Sequence, residues 1–230
     1  MDLPTGAEWT ALGLSLQVAL LCVLVSAVPG VACGWWLARR DFRGKALVDA
    51  LVHAPLVLPP VVVGYGLLLL LGRNGPLGGA LEALGLRVAF SLPGAVLASA
   101  AMGFPLLVRS VQLAVELVDP ALEQAAATLG AAPGRVFRTV TLPLAMPGVV
   151  TGLLLCFARS LGEFGATITF AGNLAGETRT LPLALYTELQ TVGGEAAAAR
   201  LALVSVTLSF LALLASERIA RALARRRRAA

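Results

Sequence analysis

Arg159 and Glu163 stand four residues apart in the run FARSLGEFGATITFAGN, which follows a long apolar stretch. On one helix that spacing lets a guanidinium and a carboxylate pair directly. Charged groups are costly inside a membrane, so they face protein or a water-filled path. Two uses are open to the pair: an internal contact that fixes helix packing, or an element of a gate or translocation path. Thr167 and Thr169 follow in the same run and offer hydroxyl donors toward its outer end.

No pattern for covalent chemistry accompanies them. The sequence lacks GxxxxGK[ST], so this chain is not expected to bind and split ATP by that route. HExxH and GxSxG are also missing. His53 is the only histidine, which excludes a histidine-rich metal site, and it falls near an expected membrane interface. Cys22, Cys33 and Cys156 lie in apolar runs without CxxC spacing and read as small buried hydrophobes. We therefore expect no catalytic residue, no metal ligand and no cofactor in this chain.

The elements that must position these residues are membrane helices. The chain is 58% hydrophobic and only 13% charged over 230 residues, against roughly a quarter charged in soluble domains. One globule of this size cannot hide so much apolar surface, whereas helices crossing a hydrocarbon core of about 30 Å can expose it to lipid. The net charge of +5 gathers beside the spans and is not interleaved with aromatic side chains, so nucleic-acid binding is not expected.

We expect an all-α integral membrane protein with one transmembrane domain over residues 1–230. About five spans are predicted, near 10–37, 49–71, 91–115, 144–170 and 197–215. The first residues, MDLPTGAEWT, carry Asp2 and Glu8 and no basic group, which disfavours a signal peptide. Trp9, Trp35 and Trp36 bracket span one, and Gly30 and Gly34 make a small-residue face on it. Pro55, Pro59 and Pro60 predict a broken or kinked second span. Short external helices are expected near 77–84 and 182–189. Arg39, Arg40, Arg43 and Lys45 follow span one, and Glu217, Arg218, Arg221 and Arg225 to Arg228 follow the last span. The positive-inside rule then sets the N-terminus outside and the C-terminus in the cytoplasm. The basic tail also suits anionic lipid.

Between spans three and four, residues 119–143 read DPALEQAAATLGAAPGRVFRTVTLP. Asp119 is a helix cap with Pro120 in the first turn. Gly130 suits a left-handed C-terminal cap, and Pro133 permits a second start. Leu142-Pro143 ends the pattern. Two short cytoplasmic helices folded against each other are expected.

This segment resembles the coupling motif of type I ABC-importer permeases, EAA, three residues, G, nine residues, I, one residue, LP. Ala125, Ala126, Gly130, Leu142 and Pro143 match it, and Val140 stands at the isoleucine position. Gln124 replaces the motif's glutamate, and Glu123, one residue earlier, is the candidate substitute. Within that family FARSLGEFGATITF, GETRTLPLALYTELQ and GGEAAAARL look most like molybdate permeases. Sulfate, thiosulfate and tungstate permeases are the alternatives inside the family, and a secondary transporter that needs no ATPase is the alternative outside it. The resemblance implies a type I importer permease fold and a multi-pass homodimer in a bacterial or archaeal cytoplasmic (inner) membrane. It implies two cytoplasmic ABC ATPase subunits that bind ATP and Mg, an extracytoplasmic solute-binding protein, and alternating access. It makes Glu123, Gln124, Ala125, Ala126, Gly130, Leu142 and Pro143 the ATPase-coupling residues, and Arg159, Glu163, Thr167 and Thr169 candidates for the path. An oxyanion that must also leave calls for hydroxyls, backbone N–H groups and helix N-termini, not a fixed cationic trap.

Overall fold

A computed structural model describes residues 5–228, and all regular structure among them is helical. The expectation placed on Asp2, and those placed on the side chains of Glu217, Arg221 and Arg225 to Arg228, lie outside what is described.

Three long helices form the centre: α1 (Gly6–Arg39), α5 (Leu92–Glu116) and α8 (Leu142–Leu161). Cys22 of α1, Leu107, Val111 and Val115 of α5, and Ala145, Val149 and Cys156 of α8 bury one another in a single cluster. Helices in lipid associate through close packing, since lipid tails are as apolar as leucine. The seam accordingly uses small residues. Gly34 of α1 lies against the Val108 carbonyl and the Val111 side chain, and Gly152 of α8 against Leu107. Cys22 and Cys156 meet in the same seam with sulfurs 3.7 Å apart, buried as small apolar residues are.

The second expected span is broken as its prolines predict. α2 (Lys45–His53) runs through a short 3₁₀ turn, Ala54–Leu56, into α3 (Pro60–Leu71), and the chain bends by 112° between them. Pro60 has no N–H to give a preceding turn, so α3 begins there with Pro59 as its cap. Twelve residues reach only about 18 Å, less than the hydrocarbon core. α3 instead packs on a second short helix, α9 (Gly165–Phe170), with Gly64 close to the Ala166 backbone. His53 Nδ1 sits 2.8 Å from the Asp49 carbonyl oxygen one turn back.

Span four is placed differently from 144–170. Its helix runs without a break from α7 (Pro133–Val136) through a π-helical turn, Phe137–Thr141, into α8, so Pro133–Leu161 is one continuous apolar rod. It then stops at Gly162, well short of residue 170. The remaining helices are α4 (Gly78–Ala83), α6 (Pro120–Thr128), α10 (Leu181–Leu189) and α11 (Glu195–Arg228). α4 and α10 fall on the two segments expected as short external helices.

Side-chain contacts sort the molecule into two ends. At one, Arg200 of α11 pairs with Glu8 of α1 at 3.1 Å, Ser15 accepts the Leu181 N–H, and Arg179 holds Asn173, whose amide donates to Thr187. At the other end Arg39 of α1 meets α6. Arg39, Arg40, Arg43, Lys45, Arg135 and Arg138 all lie at this second end or in the chain leading from it. α11 starts beside the start of α1, through the Arg200 and Glu8 pair.

Candidate functional site

Local chemistry builds α6. The Asp119 carboxylate accepts the Ala121 N–H at 2.9 Å, and Pro120 occupies the first turn, where its missing N–H has no partner to lose. At the far end Gly130 has φ +85°. Its N–H donates to the Ala127 carbonyl and the Ala131 N–H to the Ala126 carbonyl, the paired bonds of a Schellman cap. A side chain at 130 would meet nothing within 4 Å, so only the backbone angle opposes substitution. Gly130→Asn is therefore expected to keep amide hydrogen exchange over α6 near wild type. Gly130→Ala should quicken it and Gly130→Val most, following a left-handed penalty of about 1–2 kcal/mol. Equal exchange across the three variants would remove the cap's importance.

α6 buries none of its own residues. Gln124, Ala125, Leu122 and Leu129 are exposed, Leu129 to 89%. Glu123 turns the other way. Its carboxylate lies 3.0 Å from Arg39 Nε and accepts the Thr141 hydroxyl at 2.5 Å. Arg39 Nη2 also donates to the Val118 carbonyl at 2.8 Å. Glu123, expected as the substitute for the motif glutamate, has its oxygens engaged inside the chain, and Gln124 is the residue that faces out.

The expected second short helix is corrected. Leu142-Pro143 does not end a helix, because the π-helical turn at Phe137–Thr141 makes room for it. Proline cannot donate to the preceding turn and its ring crowds the carbonyl there, and one wider turn relieves both. Pro143 is exposed and Leu142 packs against the central cluster. Arg135 and Arg138 are exposed on this rod, while Val136 is buried.

Arg159 and Glu163 do pair, Nη1 to Oε2 at 2.6 Å, but not on one helix. α8 has ended, and Glu163 lies in the break before α9. Its second oxygen accepts the Ala166 N–H at 2.8 Å, so one carboxylate ties the end of α8 to the start of α9. The residue is 2% exposed. Thr167 is buried, and its hydroxyl has no hydrogen-bond partner among the described residues. Thr169 spends its hydroxyl on the Gly165 carbonyl at 2.8 Å. The structure therefore brings Arg159 and Glu163 together, leaves the Thr167 hydroxyl uncommitted and removes Thr169 as a free donor. Arg39 and Thr141 are functional candidates that sequence reasoning missed. In the sequence Arg39 is one of a basic cluster, and nothing in a separation of 84 residues points to Glu123.

A helix with an exposed face, carried at one end of a bundle of apolar helices with a broken span before α5, is the arrangement of a multi-pass membrane protein. Comparison with known proteins agrees. The family described as the binding-protein-dependent transport system inner membrane component matches residues 30–228. The chain is 57% identical over 218 residues to the molybdenum transport system permease protein ModB of Escherichia coli (strain K12), covering 94% of this chain and 95% of that one. It is 54% identical to the protein of the same name from Haemophilus influenzae, covering 91% and 92%. The sulfate transport system permease protein CysW of Synechocystis is 38% identical, covering 86% and 72%. Among solved structures, a bacterial alginate ABC transporter bound to its periplasmic protein matches with a TM-score of 0.75 at 16% identity, covering 95% of this chain and 80% of that one, a likeness of fold. The chain belongs to the binding-protein-dependent transport system inner membrane component family. It is a multi-pass inner-membrane transport protein of the type I ABC importer permease fold.

Proposed function

We propose that this chain is the permease subunit of an ATP-driven importer that carries molybdate across the cytoplasmic membrane by alternating access. The identity of 57% over nearly the whole chain to a molybdenum permease carries this reading; identity to a sulfate permease is 38%. In this reading a second copy, two ABC ATPase subunits on the basic side and an extracytoplasmic solute-binding protein complete the assembly. ATP and its Mg belong to the ATPases. The exposed face of α6, with Gln124, Ala125 and Leu129, meets the ATPase. The rod from Pro133 to Leu161 carries that motion toward Arg159 and Glu163. Arg159 is partly neutralised by Glu163, so it suits an anion that must pass and not remain.

The test is ATP hydrolysis by the chain in liposomes with its co-purifying ATPase. A molybdate-loaded binding protein is expected to raise the rate severalfold, and a sulfate-loaded one to leave it near basal. Equal stimulation by both would remove the molybdate assignment. Absence of any co-purifying ATPase would remove the importer reading itself.

A further inference from the structure

We propose that Arg39, Glu123 and Thr141 form a clasp that makes α6 move as one body with the ends of α1, α5 and α8. Resting on the importer reading above, this clasp is what Glu123 contributes to coupling, in place of a contact with the ATPase.

Apolar burial holds α6 only weakly, since none of its residues is fully buried. The other hydrogen bonds of its side chains and cap among the described residues are local, Asp119 with Ala121 and Thr128 with Ala125. Among the described residues, the side-chain bonds that leave α6 for other elements are those of Glu123. They reach Arg39, the last residue of α1, and Thr141, the last residue of the π-helical turn before α8. Arg39 extends the set to a fourth element through the Val118 carbonyl, just beyond α5. Three helix ends and α6 thus converge on one guanidinium and one carboxylate.

The parts are placed to hold. Thr141 is 1% exposed, and Arg39 and Glu123 are each less than one-fifth exposed. The pair is therefore screened less than an ion pair in open solvent. Arg39 uses its planar fork on two different acceptors, which a lysine cannot reproduce. The π-helical turn shifts the register of the rod by one residue, and Thr141, at its end, meets Glu123. Trp35 and Phe137 pack edge to face at 5.2 Å across the same junction. A push on the exposed face of α6 then reaches α1, α5 and α8 without first being absorbed by α6 sliding.

The experiment uses the whole complex in liposomes, with molybdate taken up and ATP hydrolysed measured together, and amide hydrogen exchange over residues 120–128 of the purified chain. Arg39→Gln and Glu123→Gln are expected to lower molybdate carried per ATP by roughly 10-fold, the scale of losing one charge-assisted bond. ATP hydrolysis should stay within about twofold, because the Gln124 face is untouched. Exchange over α6 should quicken by about 10-fold in both variants, and Arg39→Lys should fall between them and wild type. Wild-type transport per ATP in the two Gln variants, or unchanged exchange over α6, would overturn the clasp. So would loss of ATPase binding in Glu123→Gln with exchange unchanged, since that places Glu123 on the partner's surface. If the wild-type complex shows no ligand-stimulated hydrolysis, the importer reading fails, while exchange in the chain alone still decides whether the clasp exists.

Discussion

Glu163→Ala is expected to be among the most damaging substitutions of a charged residue in this chain. It deletes the partner of Arg159 and the acceptor of the Ala166 N–H at once. Removing one member of a buried ion pair costs about 3–5 kcal/mol, because the remaining charge is left uncompensated. Arg159 is 28% exposed, so solvent relieves part of this and the lower figure, about 3 kcal/mol, is the better expectation. For a chain of this size that corresponds to a fall of roughly 6–12 °C in the unfolding midpoint of detergent-solubilised protein. Glu163→Gln keeps an oxygen for Ala166 and should fall less. Arg159→Ala with Glu163→Ala removes both charges and should recover most of the loss, since a pair is often replaceable where a lone charge is not. A Glu163→Ala midpoint within about 2 °C of wild type would show that the carboxylate does not join α8 to α9. The same double variant separates packing from passage. Retained stability with molybdate uptake cut severalfold makes Arg159 part of the path, and retained stability with wild-type uptake makes the pair structural only.

The break that Glu163 spans marks the boundary of what can be read from the sequence. The Asp119 cap, the Pro120 start and the Gly130 stop are legible because each depends on atoms two to five residues apart. The break before Pro60 is legible for the same reason. Leu142-Pro143 misleads because a proline inside an apolar run has two local solutions, an end or a widened turn. Packing against the central cluster, through Leu142 and Ala145, selects the second. The end of α8 at Gly162 is hidden because a carboxylate four residues from an arginine is equally good on a continuous helix. Only the Ala166 N–H and the packing of α9 on α3 reveal the break. The inward turn of Glu123 is hidden more deeply, since its partner belongs to the first helix and no periodicity joins them.

The seam between α1 and α5 should respond to glycine substitutions in a graded order. At Gly34 a Cβ would stand 2.8 Å from the Val108 carbonyl and 2.8 Å from Val111 Cβ, atoms fixed by the facing helix. The helices must separate to admit it. Overpacking of this kind costs about 1–3 kcal/mol for one added carbon, so Gly34→Ala should lower the midpoint of SDS-induced unfolding clearly and Gly34→Leu should abolish stable protein. At Gly30 the nearest atom is Leu107 Cδ2 at 2.5 Å, the end of a side chain that can rotate. Gly30→Ala should therefore cost less than Gly34→Ala. At Gly13, on the same helix, nothing lies within 4 Å. Gly13→Ala should be neutral or stabilise by up to about 1 kcal/mol through helix propensity. A Gly13 variant as damaging as the Gly34 variant would mean that flexibility, and not close approach, explains these glycines. The order also bears on transport. Gly34 stands five residues before Arg39, so parting the seam there displaces the guanidinium that holds α6. Gly34→Ala should accordingly lower molybdate carried per ATP even in molecules that remain folded, whereas Gly30→Ala, one turn further from the clasp, should affect stability more than coupling.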